Sequence, residues 1–330
     1  MPLRIGSLFS GYGGLDLAVQ QVYEAEPVWH VEFDDAPSRI LTHHWPHVPN
    51  LHDVTTVDWG QVEQVDILTA GYPCQPFSTA GERRGTDDDR HLWPHVAAAT
   101  EALRPAEIVL ENVRGHLTLG FNTVLTDLDA LGYDAAWTIY PASAAGAPHR
   151  RDRLFILATR RSTSDPRSHH PRREALGCGI RPVRDSRVPG AHPPGRHHAG
   201  GPRLLPTPVV TDRTGTRNET AGRRPGAKFA SGRTLSDVVR LDAWDEYAGP
   251  MNHWAAVTGR AAPEPTEPGR ELPRLAPAFS EWLMGLKAGH VTGVPGLTRK
   301  QQLTALGNGV VPQQGAAALA HLHSIRSTNP

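Results

Sequence analysis

The chain has 330 residues, 38% of them hydrophobic and 21% charged, with 34 basic against 34 acidic side chains and only two cysteines. That length carries one large domain plus a smaller one; two cysteines exclude a disulfide framework, and no window reaches the apolar length of a membrane span. Zero net charge excludes a uniformly basic nucleic-acid binder, yet residues 1–148 hold 20 acidic and 7 basic side chains while residues 149–240 hold 20 basic and 7 acidic. Such asymmetry suits one part that holds a small ligand and another that meets a polyanion, or else a basic, solvated insert. The first residues show no secretory pattern, so cytoplasmic residence is expected, in a bacterium or in the host of a phage.

Residues 3–9 read as a first strand, followed by Ser10-Gly11-Tyr12-Gly13-Gly14 and a helix with Leu15, Ala18, Val19 and Val22 at helical spacing. A strand, a glycine turn and a helix open a nucleotide-binding βαβ unit, although Gly-x-Gly-Gly is not the dinucleotide spacing. Residues 27–34 read as the second strand, and its terminal Glu32 is placed to meet ribose hydroxyls. A helix is expected over 37–43 and a short third strand over 51–54, ending near Asp53. Residues 66–72 form the next strand, stopped by Gly71-Tyr72-Pro73, with Cys74 directly after it. A thiol at the carboxyl end of a parallel strand lies where α/β proteins place their ligands, and it also suits a packed corner.

Residues 78–90 are polar with no apolar period and read as a mobile loop. A helix over 92–103 leads to a strand over 108–113 that delivers Glu111, then a helix over 121–131 and strands over 137–140 and 153–158. Beyond 160 the chain turns rich in Arg, His, Pro and Gly without a period. Apolar pattern returns at 204–210 and 235–244, residues 261–277 read as an extended connector, 279–286 as helical, 303–312 as a compact turn, and 313–325 as an Ala-rich helix. The 18 histidines show no standard zinc spacing, so no metal is expected. Trp244 and Trp254 read as packing residues.

Several of these blocks, in this order, resemble the cytosine-C5 DNA methyltransferase family. Phe9-Ser10-Gly11-Tyr12-Gly13-Gly14 is similar to its cofactor loop, Pro73-Cys74-Gln75 to its nucleophile motif and Glu111-Asn112-Val113 to its Glu-Asn-Val motif. His149-Arg150-Arg151-Asp152-Arg153 is similar to its Gln-x-Arg-x-Arg motif, and Gly307-Asn308-Gly309-Val310 to its C-terminal block. The resemblance implies an α/β, Rossmann-like S-adenosylmethionine-dependent methyltransferase fold: a mixed, mainly parallel sheet with helices on both faces. It implies a catalytic, cofactor-binding domain over 1–160 plus 294–330, and a smaller, irregular target-recognition domain over 161–293.

The function implied is methyl transfer from S-adenosylmethionine, leaving S-adenosylhomocysteine, to C5 of a flipped-out cytosine in double-stranded DNA. Cys74 would add to C6, Glu111 would support N3, and Arg151 and Arg153 would hydrogen-bond the base carbonyl. Phe9, Gly11, Gly13, Gly14, Leu15, Glu32, Phe33, Asp53, Val54, Pro73, Leu92 and Asn308 would line the cofactor. Gln75, Ser78, Arg90 and Asn112 would meet the substrate. A monomer is expected, with room for a cognate restriction endonuclease acting separately. A relative acting on tRNA, or a catalytically inactive DNA-binding paralogue, remains as an alternative. Three departures stand out: His149 replaces the family's glutamine, Glu281-Trp282-Leu283-Met284-Gly285-Leu286 matches its block loosely, and the recognition region is poor in hydrophobic residues.

Overall fold

The structure is a computed structural model and describes residues 1–73, 92–161, 203–214, 233–269 and 273–328. Its centre is a six-stranded sheet in the order β2-β1-β3-β4-β6-β5. The strands are β1 (Leu3–Leu8), β2 (Ala25–Val31), β3 (Ile67–Ala70), β4 (Glu107–Val113), β5 (Tyr133–Pro141) and β6 (Asp152–Arg160). The first four are parallel, and β6 enters antiparallel between β4 and β5. The sequence is legible as strands because the central ones are short apolar runs, buried on both faces as parallel strands require.

Alternation along each strand divides the core. Leu68, Ile108, Leu110, Leu154 and Ile156 pack under α3 (Trp93–Leu103) and α4 (Phe121–Ala130), through Trp93, Val96, Phe121 and Leu128. Ile5, Ile67, Val109, Phe155 and Leu157 face α1 (Gly14–Gln20) and α9 (Pro312–Thr328), through Leu15, Val19, Leu319 and Leu322. A helical layer on each face of a mixed, mainly parallel sheet is the expected architecture. The chain leaves β1 toward β2 on one side and returns to β3 on the other. The cleft beyond the carboxyl ends of β1 and β3 is therefore the topological switch point.

A third apolar cluster joins Tyr12 and Ile40, the latter on α2 (Asp35–His44), to residues from 205 onward, among them Leu235, Tyr247, Trp254, Phe279, Trp282, Leu283 and Leu306. These come from α5 (Leu235–Leu241), α6 (Ala248–Thr258), α7 (Pro277–Leu283), α8 (Arg299–Asn308) and their connections. Trp254 is fully buried and its indole donates to Trp282 O at 2.9 Å, so it packs as the sequence implied. The 261–277 connector holds one small ribbon, β7 (Thr266–Glu267) with β8 (Arg274–Leu275).

Two expectations are corrected. No third strand forms over 51–54: β2 is met there only by an isolated bridge from His30 to Asn50. Asn50 instead saturates the backbone of Glu32, accepting from its N–H and donating to its carbonyl, both at 3.0 Å. The compact turn over 303–312 is mostly helix, since α8 runs to Asn308. Thr298 and Gln301 close a capping box at its start, and that fixes its direction.

Candidate functional site

Three strand ends converge on the switch point. After β1 the backbone turns through positive φ at Phe9 (53°), Gly11 (57°) and Gly13 (81°). A Cβ on Gly11 would meet nothing within 4 Å, so this part of the loop faces open cavity. Gly13 differs from the expectation: it does not line the cavity, and a Cβ there would come 2.6 Å from the Trp45 ring. Its role is the left-handed start of α1 beneath that tryptophan.

Glu32 follows β2 and stands on the cavity wall. Its Oε2 accepts from Gly11 N at 2.8 Å and its Oε1 from Asp34 N at 2.9 Å. Burial pushes its carboxyl pKa up, and these N–H donors oppose the shift. The carboxylate thus fixes the glycine loop and keeps lone pairs for a hydroxyl. Phe33 beside it is 75% exposed, an aromatic face left open at the rim. Asp53 caps a turn, its Oδ1 accepting from Thr55 N at 2.9 Å and Thr55 Oγ1 at 2.8 Å, and those bonds hold its pKa down.

The other end of the cavity is chemical. Glu111 is buried on β4, and Arg153 is on β6 at the diagonal position, its register partner being Val113. Arg153 Nε lies 2.9 Å from Glu111 Oε1. Burial pushes the Glu111 pKa up, and Arg153 and then Arg151 pull it down; burial prevails. Asn112 donates to Tyr72 O at 3.1 Å, which ties the end of β4 to the turn that reaches Pro73. Tyr72 Oη is hydrogen-bonded to His116 Nε2 at 2.8 Å, a buried pair that sequence reasoning missed because His116 lies beyond the strand motif. Cys74, Gln75, Ser78 and Arg90, and the loop that carries them, lie outside the described residues.

Arg151 is not where the resemblance put it. Its φ is 37° and its side chain is buried among backbone carbonyls, two of them from Gly307 and Gly309 of the cavity wall, so that it does not itself line the cavity. Nη1 donates to Pro208 O at 2.8 Å, and Nη2 to Gly307 O at 3.0 Å and Gly309 O at 2.6 Å. It clamps the 205–210 segment to the C-terminal block. His149 is fully buried and donates from Nε2 to Leu283 O at 2.9 Å; burial, first, pushes its pKa down to about 3, so it is neutral.

Tyr12, the bulky member of the glycine loop, completes this second assembly. It is 1% exposed and donates from Oη to Val310 O at 2.7 Å, while His290 Nε2 donates to its carbonyl at 2.8 Å. A Cβ on Gly309 would sit inside the Tyr12 ring. The pairing of a large residue at 12 with glycine at 309 was in the sequence, but nothing local says that the two meet.

The strand ends, α8 and the 3-10 helix Val210–Thr214 enclose one cavity of about 1220 Å3. Phe9, Gly11, Gly14, Leu15, Glu32, Phe33, Asp53, Val54, Pro73, Leu92 and Asn308 line it, together with Glu111, Asn112 and Arg153. Among the described residues no group of three or more His, Cys, Asp and Glu side chains is placed to hold a metal ion, and no described helix is long and apolar enough to cross a membrane.

The family model for C-5 cytosine-specific DNA methylases matches residues 3–190. The chain belongs to this family. The Type II methyltransferase M.NgoBV of Neisseria gonorrhoeae is 33% identical over 180 residues, covering 49% of this chain and 43% of that protein. M.NlaIV of Neisseria lactamica is 32% identical over 180 residues with the same coverage. The chain thus spans less than half the length of these relatives. The solved structure of the S. pombe Dnmt2 methyltransferase matches 99% of this chain and 100% of its own, with a TM-score of 0.59 and 15% identity. That likeness is of fold, and it agrees with the architecture described above.

Proposed function

We propose that this chain transfers a methyl group from S-adenosylmethionine to C5 of a cytosine in double-stranded DNA. The observation that carries the reading is the buried Glu111–Arg153 pair, facing the cavity whose other end is the glycine loop and Glu32. Such a cofactor fits these residues. Gly11 opens onto free space, Glu32 offers lone pairs to ribose hydroxyls, Phe33 presents an uncovered ring to a purine, and Asp53 stays ionised near an amine. When bound, the cofactor supplies an electrophilic methyl group.

The chain's own residues supply the remaining chemistry. Cytosine C5 is a poor nucleophile until C6 is attacked. Cys74, one residue beyond the Pro73 that lines the cavity, contributes the thiolate that bonds to C6. Glu111, its pKa pushed up by burial, hydrogen-bonds N3 and shares a proton with it as charge develops on the ring, and Arg153 keeps that carboxyl oriented. With C6 attacked, C5 would be nucleophilic enough to accept the methyl group that the cofactor supplies; the C5 proton would then leave to a base and the Cys74–C6 bond would cleave, freeing the thiolate. The base must leave the duplex for this, at a cost of about a few kcal/mol. The basic residues of 149–240 suit the phosphates. The division into a catalytic part, 1–160 with 294–330, and a recognition part, 161–293, belongs to the same proposal.

Bisulfite sequencing of DNA from cells expressing the chain tests the reading and reports the target sequence. Methylated cytosine in one sequence context is expected, and Cys74→Ser should lower turnover by roughly 100-fold or more while leaving S-adenosylhomocysteine binding intact. Methyl incorporation into tRNA and not DNA, or full activity in Cys74→Ser, overturns it.

A further inference from the structure

The cavity is electrically polar in a way that the proposed reaction does not use. Glu32, Asp34, Asp35 and Asp53 line it from the segment after β2 and its connection to β3, and Arg213 and Lys300 line it from the 3-10 helix Val210–Thr214 and α8. Arg213 is in the 3-10 helix Val210–Thr214, beyond the region matched by the family. That helix is anchored at its start: Asp212 Oδ2 accepts from Val209 N at 2.8 Å, and Arg151 grips both Pro208 O and Gly307 O. The base of Arg213 is therefore held against α8 by backbone contacts.

Its guanidinium is held far less. Nη1 reaches Thr304 Oγ1 at 3.5 Å, a distance at the limit of a hydrogen bond, and that hydroxyl already donates to Lys300 O at 2.8 Å. Nε is buried and has no partner. Among the described residues no carboxylate comes within 4 Å of it, although a planar guanidinium carries five donors. A half-buried guanidinium on a cavity wall with so few acceptors gains free energy when a partner supplies them to its outer nitrogens. Lys300 stands one helical turn from Thr304 at the same rim.

We infer that Arg213, with Lys300 and Thr304, forms an oxyanion subsite on the α8 wall of the cavity. Resting on the function proposed above, the oxyanion that fits is the amino-acid carboxylate of the cofactor. Glu32 and Asp53 then receive the hydroxyls and amine of adenosine, and Arg213 with Lys300 fixes the direction in which the molecule lies. A backbone phosphate beside the flipped base has the same chemistry and is the other source of such a group.

Calorimetry with S-adenosylhomocysteine and with 5′-methylthioadenosine, which lacks the amino-acid end, separates the cases in the wild-type chain, in Arg213→Ala and in Arg213→Lys. The expected result for Arg213→Ala is a roughly 10- to 100-fold weaker Kd for S-adenosylhomocysteine, with methylthioadenosine within about 3-fold of wild type and Arg213→Lys in between. Duplex binding across a salt series is the second arm. Unchanged S-adenosylhomocysteine binding with weaker DNA binding and a salt slope lower by about one assigns the oxyanion to phosphate. Equal weakening of both adenosine compounds, or no change in either arm, overturns the subsite. Wild-type protein that binds neither adenosine compound counts against the functional reading itself, whatever Arg213 does.

Discussion

Along one wall of the cavity, Phe9, Glu32, Pro73 and Glu111 stand just beyond or within strands whose register the sheet sets. Along the other, Arg213, Thr304 and Asn308 stand on helices outside the six-stranded sheet, positioned by Arg151 on three carbonyls and by Tyr12 on Val310 O. The first wall inherits its precision from a hydrogen-bonded ladder. The second depends on a few buried side chains that cross long sequence distances. Damage to the first should therefore show in chemistry, and damage to the second in stability and cofactor affinity.

The two arginines of one short stretch give the largest contrast. Arg153→Met should cut methyl transfer by roughly 100-fold or more, since it removes the ion-pair partner of Glu111. Arg151→Met should cost about 3–5 kcal/mol of stability in urea titrations, because it strands three buried carbonyls. An Arg151→Met protein that is stable but inactive would falsify the division between the walls.

A smaller effect sharpens the fit of the glycine loop to the C-terminal block. Gly309→Ala forces a methyl group into the Tyr12 ring and should lower stability by about 3 kcal/mol. Tyr12→Ala should lower it too, through the lost ring and the lost bond to Val310 O. The double variant should be more stable than the sum of the singles, by about 1 kcal/mol or more in denaturant titration. Strict additivity would mean that the two residues do not share the space.

The smallest effect is a pH dependence. His149 is neutral in the fold, its pKa pushed down to about 3 by burial from an ordinary 6.5. The unfolded chain binds the proton more readily, so this group's contribution is complete above about pH 6.5 and is lost as pH falls toward 3. At pH 5 the loss is about 2 kcal/mol. Burial lowers His290 likewise, to about 4, which adds a loss of the same sign. His149→Gln keeps a donor for Leu283 O and cannot titrate. Its melting temperature should fall less than that of wild type between pH 7 and pH 5, and an equal fall would show that His149 does not titrate as placed.

Much of the first wall was legible in the sequence. Apolar runs of four to six residues bounded by glycine and proline are local signals, and they located β1, β3 and β4 with the residues at their ends. The expected strand over 51–54 failed because Leu51 and Val54 flank two polar residues, one of which, Asp53, caps its own turn. The helix over 299–308 was missed because Gly307 and Gly309 read as a turn, although Thr298 and Gln301 already spelled its start.

Sequence alone determined the family, the places of the six sheet strands along the chain (with one strand too many, over 51–54) and the side chains available for the chemistry, because those depend on local pattern and on residue type. It could not separate Arg151 from Arg153. The two are chemically identical, two residues apart and on the same side of any strand alternation. Only the tertiary structure decided between them: β6 begins at Asp152, so Arg153 takes its place in the ladder diagonal to Glu111. Arg151 falls before the strand with its φ at 37°, and turns to carbonyls more than 50 and 150 residues away. Which arginine pairs with Glu111 and which holds the fold together was set by where one strand starts.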